Sequence, residues 1–380
     1  MEQSTASLLA RAVRGLEWVV ADEVAGTCPA TGIRMGERSV LFDVPSDRLS
    51  SVANLRTADD VFLRVAELPA GRTRSDVAAI AERAARTDLL ATTEMLRAVR
   101  DIPLRPAFDV VANMDGNRRY NRFDVEEAVG RRLAATYGWR WISHRQPSSG
   151  EQSDLTMRLM LENDSGQLAV RVAAHPLHRR PYKIRTGPGT LHPPLARMLS
   201  VLADPQPGDR LGDPFCGDGT ILIEAGDADI RLHGCDLDPD RVRNAVANAR
   251  RAGRRISLVA ADAGALPFGD RSWNRVVTNP PWNVAVGAGG RLRRRPVAAW
   301  EEVRRVLDPA GRAVALVGAD DEVEPLLRKV GLPVLLQQTV RISGRIGRVL
   351  LLGGTAPLPD PIARWRGEAA AAGLINDGAF

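Results

Sequence analysis

The chain has 380 residues, room for two or three domains that each bury a core. Its 44% hydrophobic share is ordinary for a globular protein. No apolar run reaches the ~18 residues of a bilayer span, and the start lacks a basic segment followed by an apolar core, so a cytoplasmic monomer is expected.

The net charge of +6 permits an anionic partner such as nucleic acid, although Lys183 and Lys329 are the only lysines and the arginine excess also fits a genome-composition bias. Cys28, Cys216 and Cys235 show no metal-ligand spacing and cannot close a disulfide set. The five histidines form no zinc-type pair. Buried free thiols, a reducing compartment and no metal are therefore expected.

In chain order, "GLEWVVADEVA" (15–25) has helical spacing, with Leu16, Val19, Val20, Glu23 and Val24 on one stripe. A strand over 38–45, a capped helix from Ser46 and a strand in "VFLRVAELP" follow, the α+β order of a small ferredoxin-like unit. From Thr73 the order repeats in outline. Helices are expected in "DVAAIAERAAR" and "VEEAVGRRLAATYGWRW", and strands in "FDVVANM", "LTMRLMLEND" and "GQLAVRVAA". A Pro- and Gly-rich stretch then leads to a helix at about 193–203. Beyond Arg210, strands "RLGDPF", "RLHGCDL", "ISLVAAD", "RVVTNPP" and "GRAVALVGA" alternate with helices at about 219–226, 239–252, 297–308 and 321–330, predicting a parallel sheet covered on both faces. "LPVLLQQTVRISG" and "RVLLLGG" are too close for a crossover and must form an antiparallel pair. The expected divisions are 1–72, 73–180, a linker and leading helix at 181–208, and 209–380.

Four successive strands in the second half end in ligand-type polar residues. "DPFCGDGT" (213–220) closes the first strand and opens a helix, and Gly217 and Gly219 let backbone approach a ligand. Asp236 stands 23 residues after Asp213, where an acid can take both hydroxyls of a ribose. Asp262 ends the third strand and can accept from an adenine amino group. The fourth ends in "NPPW" (279–282). No phosphate-loop signature is present, and Asp213 and Asp218 in the turn oppose pyrophosphate but suit a ligand with a cationic α-amino group. S-adenosylmethionine is such a ligand.

"DPFCGDGT", "CDLDPDRVRNAVANAR", "ADAGALPF" and "TNPPW", in this order, resemble class I S-adenosylmethionine-dependent methyltransferases that modify amino groups. "RGLEWVVADEV", "RRYNRFDVEEAVGRRL" and "HRRPYKIRTGPGTLHPPLARML" are similar to the THUMP-containing branch, which methylates RNA. The resemblance implies a Rossmann-like α/β sheet ending in an antiparallel hairpin, preceded by ferredoxin-like and THUMP-type α+β units. It implies methylation of guanine N2 in tRNA, with 23S rRNA guanine-N2 enzymes as near relatives. Asp213 would hold the methionine amino group, and the cofactor set would take in Phe215, Cys216, Gly217, Gly219, Thr220, Asp236, Leu237, Asp262, Ala263 and Asn279. Relatives usually have Tyr or Phe where Trp282 stands, often followed by Gly where this chain has Asn283, and a small residue where it has Asp218.

The chemistry of an exocyclic amine explains "NPPW". Its lone pair is delocalised into the ring, so attack on a methyl group needs partial pyramidalisation of the nitrogen. Asn279 Oδ1 and the Pro280 carbonyl would accept its two protons. Pro280 and Pro281 lack the N–H groups that would repel it, and Trp282 would stack on an extruded base. Between residues 100 and 185 basic side chains outnumber acidic ones 15 to 10. Arg118, Arg119, Tyr120 and Arg122, then Arg179, Arg180 and Lys183, then Arg293 and Arg294 within "RLRRR", are the expected RNA contacts. Competing readings are methylation of adenine N6, of protein glutamine or of a small molecule, and a non-catalytic RNA-binding protein.

Overall fold

Two sheets organise the chain, and the computed structural model describes residues 4–145, 151–162, 165–226, 229–282, 287, 289–342, 344–353 and 358–375. The first half opens with β1 (Thr5–Arg11), α1 (Glu17–Thr27), β2 (Thr31–Gly36), β3 (Ser39–Pro45), a 3₁₀ helix at Ser46–Asn54 and β4 (Asp60–Pro69). The order β2-β3-β1-β4, antiparallel throughout, is the ferredoxin-like arrangement. The segment from Ser46 is 3₁₀ rather than α. It is rich in residues whose side chains compete for the backbone, and Ser51 Oγ donates to the Arg48 carbonyl at 2.8 Å.

Next come α2 (Asp76–Ala85), α3 (Leu89–Arg97), β5 (Ala107–Met114), α4 (Arg122–Tyr137), β6 (Arg140–Ile142), β7 (Leu155–Glu162) and β8 (Ser165–Arg171). Asn121 and Asp124 form a capping box on α4, and Gly138 ends it in the left-handed region, so Arg140–Ile142 turns into a strand instead of extending the helix. β4 pairs with β8 from Phe62 to Pro69, so the two α+β segments share one eight-stranded sheet.

The second half contains α5 (Pro193–Ala203), β9 (Arg210–Asp213), α6 (Thr220–Ala225), β10 (Arg231–Asp236), α7 (Pro239–Arg251), β11 (Ile256–Ala260) and β12 (Trp273–Thr278). It continues with α8 (Ala298–Val306), β13 (Leu307–Gly318), α9 (Glu324–Lys329), β14 (Val334–Ile342), β15 (Arg345–Leu352) and α10 (Asp360–Ala371). The sheet order is β11-β10-β9-β12-β13-β15-β14. The first five strands are parallel, and β15 lies antiparallel between β13 and β14. This is the class I methyltransferase sheet with its reversed hairpin.

The halves share a core. One apolar cluster runs from Leu8 and Trp18 through Leu211 and Val314 to Trp365 on α10, which returns to pack on α1. A backbone bridge joins Arg341 N to the Arg14 carbonyl at 3.1 Å. The polar lock is Glu224 on α6, 1% exposed. Its Oε1 accepts from Arg180 Nε at 2.9 Å and Tyr182 Oη at 2.8 Å, and its Oε2 from Arg56 Nη2 at 3.0 Å. Arg180 Nη2 also donates to the Arg56 carbonyl at 2.7 Å. Front sheet, linker and catalytic sheet therefore meet on one buried carboxylate. Among the described residues no helix is long and apolar enough to cross a membrane, and no three His, Cys, Asp or Glu side chains are grouped to hold a metal. All three cysteines are free and buried.

Candidate active site

Parallel strands end on one side of a sheet, and the right-handed crossovers carry the chain away behind it. The carboxyl ends of β9, β10, β11 and β12 accordingly bring Asp213, Asp236, Asp262 and Asn279 to one cavity of about 1000 Å³.

Asp213 is 1% exposed. Its Oδ1 accepts from Phe215 N at 3.0 Å and from Thr278 Oγ1 at 2.9 Å, while Oδ2 has no partner among the described residues. Burial pushes its carboxyl up to about 7, against the pull of those two hydrogen bonds and helped by the nearby Asp236 charge. Asp236 is held by Gly217 N at 2.9 Å and Asp238 N at 3.0 Å, and Asp262 by Gly264 N and Arg291 N, each at 2.8 Å. Gly217 and Gly219 both have positive φ, +50° and +81°, as the tight turn between β9 and α6 requires. Cys216 also lines the cavity. Its N–H bonds to the Cys235 carbonyl at 2.8 Å, and burial raises its thiol well above the ordinary range.

Two further orphan atoms accompany Asp213 Oδ2. Thr220 Oγ1 and Asn279 Oδ1 are buried without partners among the described residues, and both residues line the same cavity. Buried polar atoms are paired in the great majority of cases, so three orphans in one cavity wall mark a place built for a ligand. The set fits S-adenosylmethionine: an unpaired carboxylate oxygen for an ammonium, acids for ribose and adenine, and exposed Leu237 with Ala263 as apolar surface.

Trp282 is partly buried in the cavity wall. Its indole N–H donates to the Leu316 carbonyl at 3.2 Å, and Gly347 on β15 makes room for the ring, since a Cβ there would lie 2.7 Å from it. A glycine on β15 thus admits the indole. Asn283 lies outside the described residues.

The expected RNA contacts separate into two groups. Arg118 donates to the carbonyls of Ala70 at 2.9 Å, Gly71 at 2.8 Å and Leu161 at 3.0 Å, and Tyr120 is buried with its hydroxyl on the Gly71 carbonyl at 2.7 Å. Arg180 is spent on Glu224. These three serve the fold, because strand ends and a buried acid need donors. Lys183 belongs to the cavity wall, with Nζ donating to the Leu191 carbonyl at 2.9 Å. Arg119, Arg122, Arg179, Arg293 and Arg294 are exposed.

Sequence reasoning missed Thr278, whose hydroxyl orients Asp213 from the neighbouring strand. The signal was a polar residue closing the apolar run before Asn279. It also missed Arg241, Asn244 and Asn248, polar at spacings of three and four along α7 and turned inward.

Residues 180–347 match the UPF0020 family model, described as RMKL-like, methyltransferase domain. Fold, cavity and family match together define a class I, S-adenosylmethionine-dependent methyltransferase. More particularly, the chain is 29% identical over 351 residues to a tRNA (guanine(6)-N2)-methyltransferase of Thermus thermophilus, spanning 90% of this chain and 95% of that protein. It is 36% identical over 114 residues to a tRNA (guanine(10)-N2)-dimethyltransferase of Methanothermobacter thermautotrophicus, 30% of this chain and 33% of that protein. The crystal structure of TrmN from Thermus thermophilus matches with a TM-score of 0.70 at 27% identity, over 92% of this chain and 100% of that one.

Proposed function

We propose that the enzyme methylates the exocyclic N2 amino group of a guanosine in tRNA. The observation that carries this reading is Asn279 Oδ1, a buried acceptor without a partner among the described residues, beside a fixed tryptophan in the cofactor cavity. The near full-length similarity to a tRNA guanine-N2 enzyme supports the choice of substrate.

S-adenosylmethionine supplies the electrophilic methyl group. Asp213 Oδ2 would hold its ammonium, Asp236 the ribose, and Asp262 the adenine amino group, with Leu237 and Ala263 as apolar surface for the adenine. Phe215, Cys216, Gly217, Gly219 and Thr220 form the turn that would receive it. Asn279 Oδ1 and the Pro280 carbonyl accept the protons of the target amine and direct its lone pair. Pro281 adds no competing donor, and Trp282 stacks on the base. Alignment and these acceptors lower the barrier; no strong base is required. The THUMP-type front half and the exposed Arg119, Arg122, Arg179, Arg293 and Arg294 contact RNA phosphates. A cytoplasmic setting suits both tRNA and three buried free thiols.

Supplying labelled S-adenosylmethionine with tRNA, rRNA or duplex DNA separates the substrate classes. Label is expected in tRNA; transfer to DNA alone, or to none of the three, contradicts the reading.

Asp213 gives the site a pH dependence. With its carboxyl raised to about 7, it is protonated in the empty enzyme below that pH, and only the ionised form attracts an ammonium. The same shift makes ionisation cost stability as pH rises through about 7 without ligand. S-adenosylhomocysteine affinity, measured calorimetrically, should fall by up to about tenfold per pH unit below about pH 7 and level off above it. A flat profile, or the same slope in Asp213→Asn, would disprove the assignment.

A further inference from the structure

Residues 183–192 precede the catalytic sheet, yet Lys183 and Pro188 to His192 form part of the cavity wall. A Pro- and Gly-rich stretch has no hydrogen-bond ladder of its own, so something else must hold it there. Asp218, in the glycine turn, does so. It is 1% exposed, and its Oδ2 accepts from Gly187 N at 2.7 Å and from the Thr190 hydroxyl. Arg241 Nη1 lies 3.2 Å from the same oxygen, and Asn244 Nδ2 donates to Oδ1 at 3.1 Å. Further along α7, Asn248 Oδ1 accepts from Ile184 N at 3.1 Å and Arg185 N at 3.0 Å. Its Nδ2 donates to the carbonyls of Arg185 and Asp218, both at 3.0 Å.

Both carboxylate oxygens of Asp218 are thus engaged by the strap and α7, which leaves it poorly placed to be a ligand. Burying a carboxylate is costly unless it is fully paired, and this one is paired with the segment that walls the cavity. We infer that Asp218 is a positioning residue for the cofactor. It fixes residues 183–192 against the glycine turn, so the cofactor meets a finished wall and does not have to order a loose strap. The inference rests on the methyltransferase reading for the identity of the cofactor.

The test compares full-length wild type, Asp218→Ser and Thr190→Val. S-adenosylhomocysteine affinity, KM for S-adenosylmethionine, KM for tRNA, kcat and thermal midpoint are read for each. Asp218→Ser should weaken S-adenosylhomocysteine and raise the cofactor KM about tenfold or more, and Thr190→Val about threefold, with kcat and tRNA KM within about twofold. Thr190→Val removes one hydroxyl on the strap, so it decides the matter if Asp218→Ser fails to fold. Cofactor affinity within about twofold of wild type in the folded variants overturns the inference, as does an equal loss in all three kinetic parameters. A wild-type protein that binds no S-adenosylhomocysteine instead overturns the methyltransferase reading beneath it.

Discussion

Replacing Asn279 with alanine is expected to lower kcat by about 100- to 1,000-fold while leaving S-adenosylhomocysteine affinity within about threefold. The asymmetry follows from what the side chain touches. Its Oδ1 accepts no hydrogen bond among the described residues, so its loss orphans no donor there. It follows β12, on the opposite side of β9 from Asp236 on β10, and makes no hydrogen bond to Asp213 or Asp236 among the described residues. What is lost is an acceptor needed as the amine pyramidalises, which is stronger in the transition state than in the ground state. Single-turnover kinetics at saturating cofactor separate the two effects. An unchanged rate would remove Asn279 from the chemistry.

The largest effect on stability is expected from Glu224→Ala, about 3–5 kcal/mol. The substitution leaves the Arg180 and Arg56 guanidinium groups without their shared carboxylate and the buried Tyr182 hydroxyl without its acceptor. Burial already pushes the Tyr182 hydroxyl far above its ordinary range, so it cannot ionise to compensate and must find another partner. Urea unfolding should show the two halves loosening together, because the carboxylate joins both to the linker. A loss below about 1 kcal/mol would mean that the shared apolar core alone holds the halves.

The catalytic half was legible because its chemistry and its fold leave the same marks. Each of β9, β10, β11 and β12 is an apolar run that stops at a polar residue, and the short spacing of β14 and β15 forced the reversed hairpin. Elements without such marks were missed. β2 is partly or fully exposed at a sheet edge, so it has no apolar alternation, and β1 packs in mid-sheet with an uneven pattern. α3 carries Thr92 and Thr93, whose hydroxyls bond back to the helix, and α10 lies beyond the hairpin with Gly367 in its middle.

Arginines were the other failure. A guanidinium serves a phosphate or three carbonyls equally well, and nothing local separates exposed Arg119 from Arg118, which ties Ala70, Gly71 and Leu161 together. Asp218 was visible as an odd residue, but its partners in the strap are 28 to 31 residues earlier in the chain and those on α7 more than 20 residues later. Tertiary context alone gives it a purpose.

Digestion to nucleosides of tRNA methylated by the enzyme, followed by mass spectrometry, tests the central claim most directly. N2-methylguanosine is the expected product, absent when Asn279→Ala replaces the wild type. A methyl group found on adenine N6 or on a ring nitrogen, with none on guanine N2, would contradict the account.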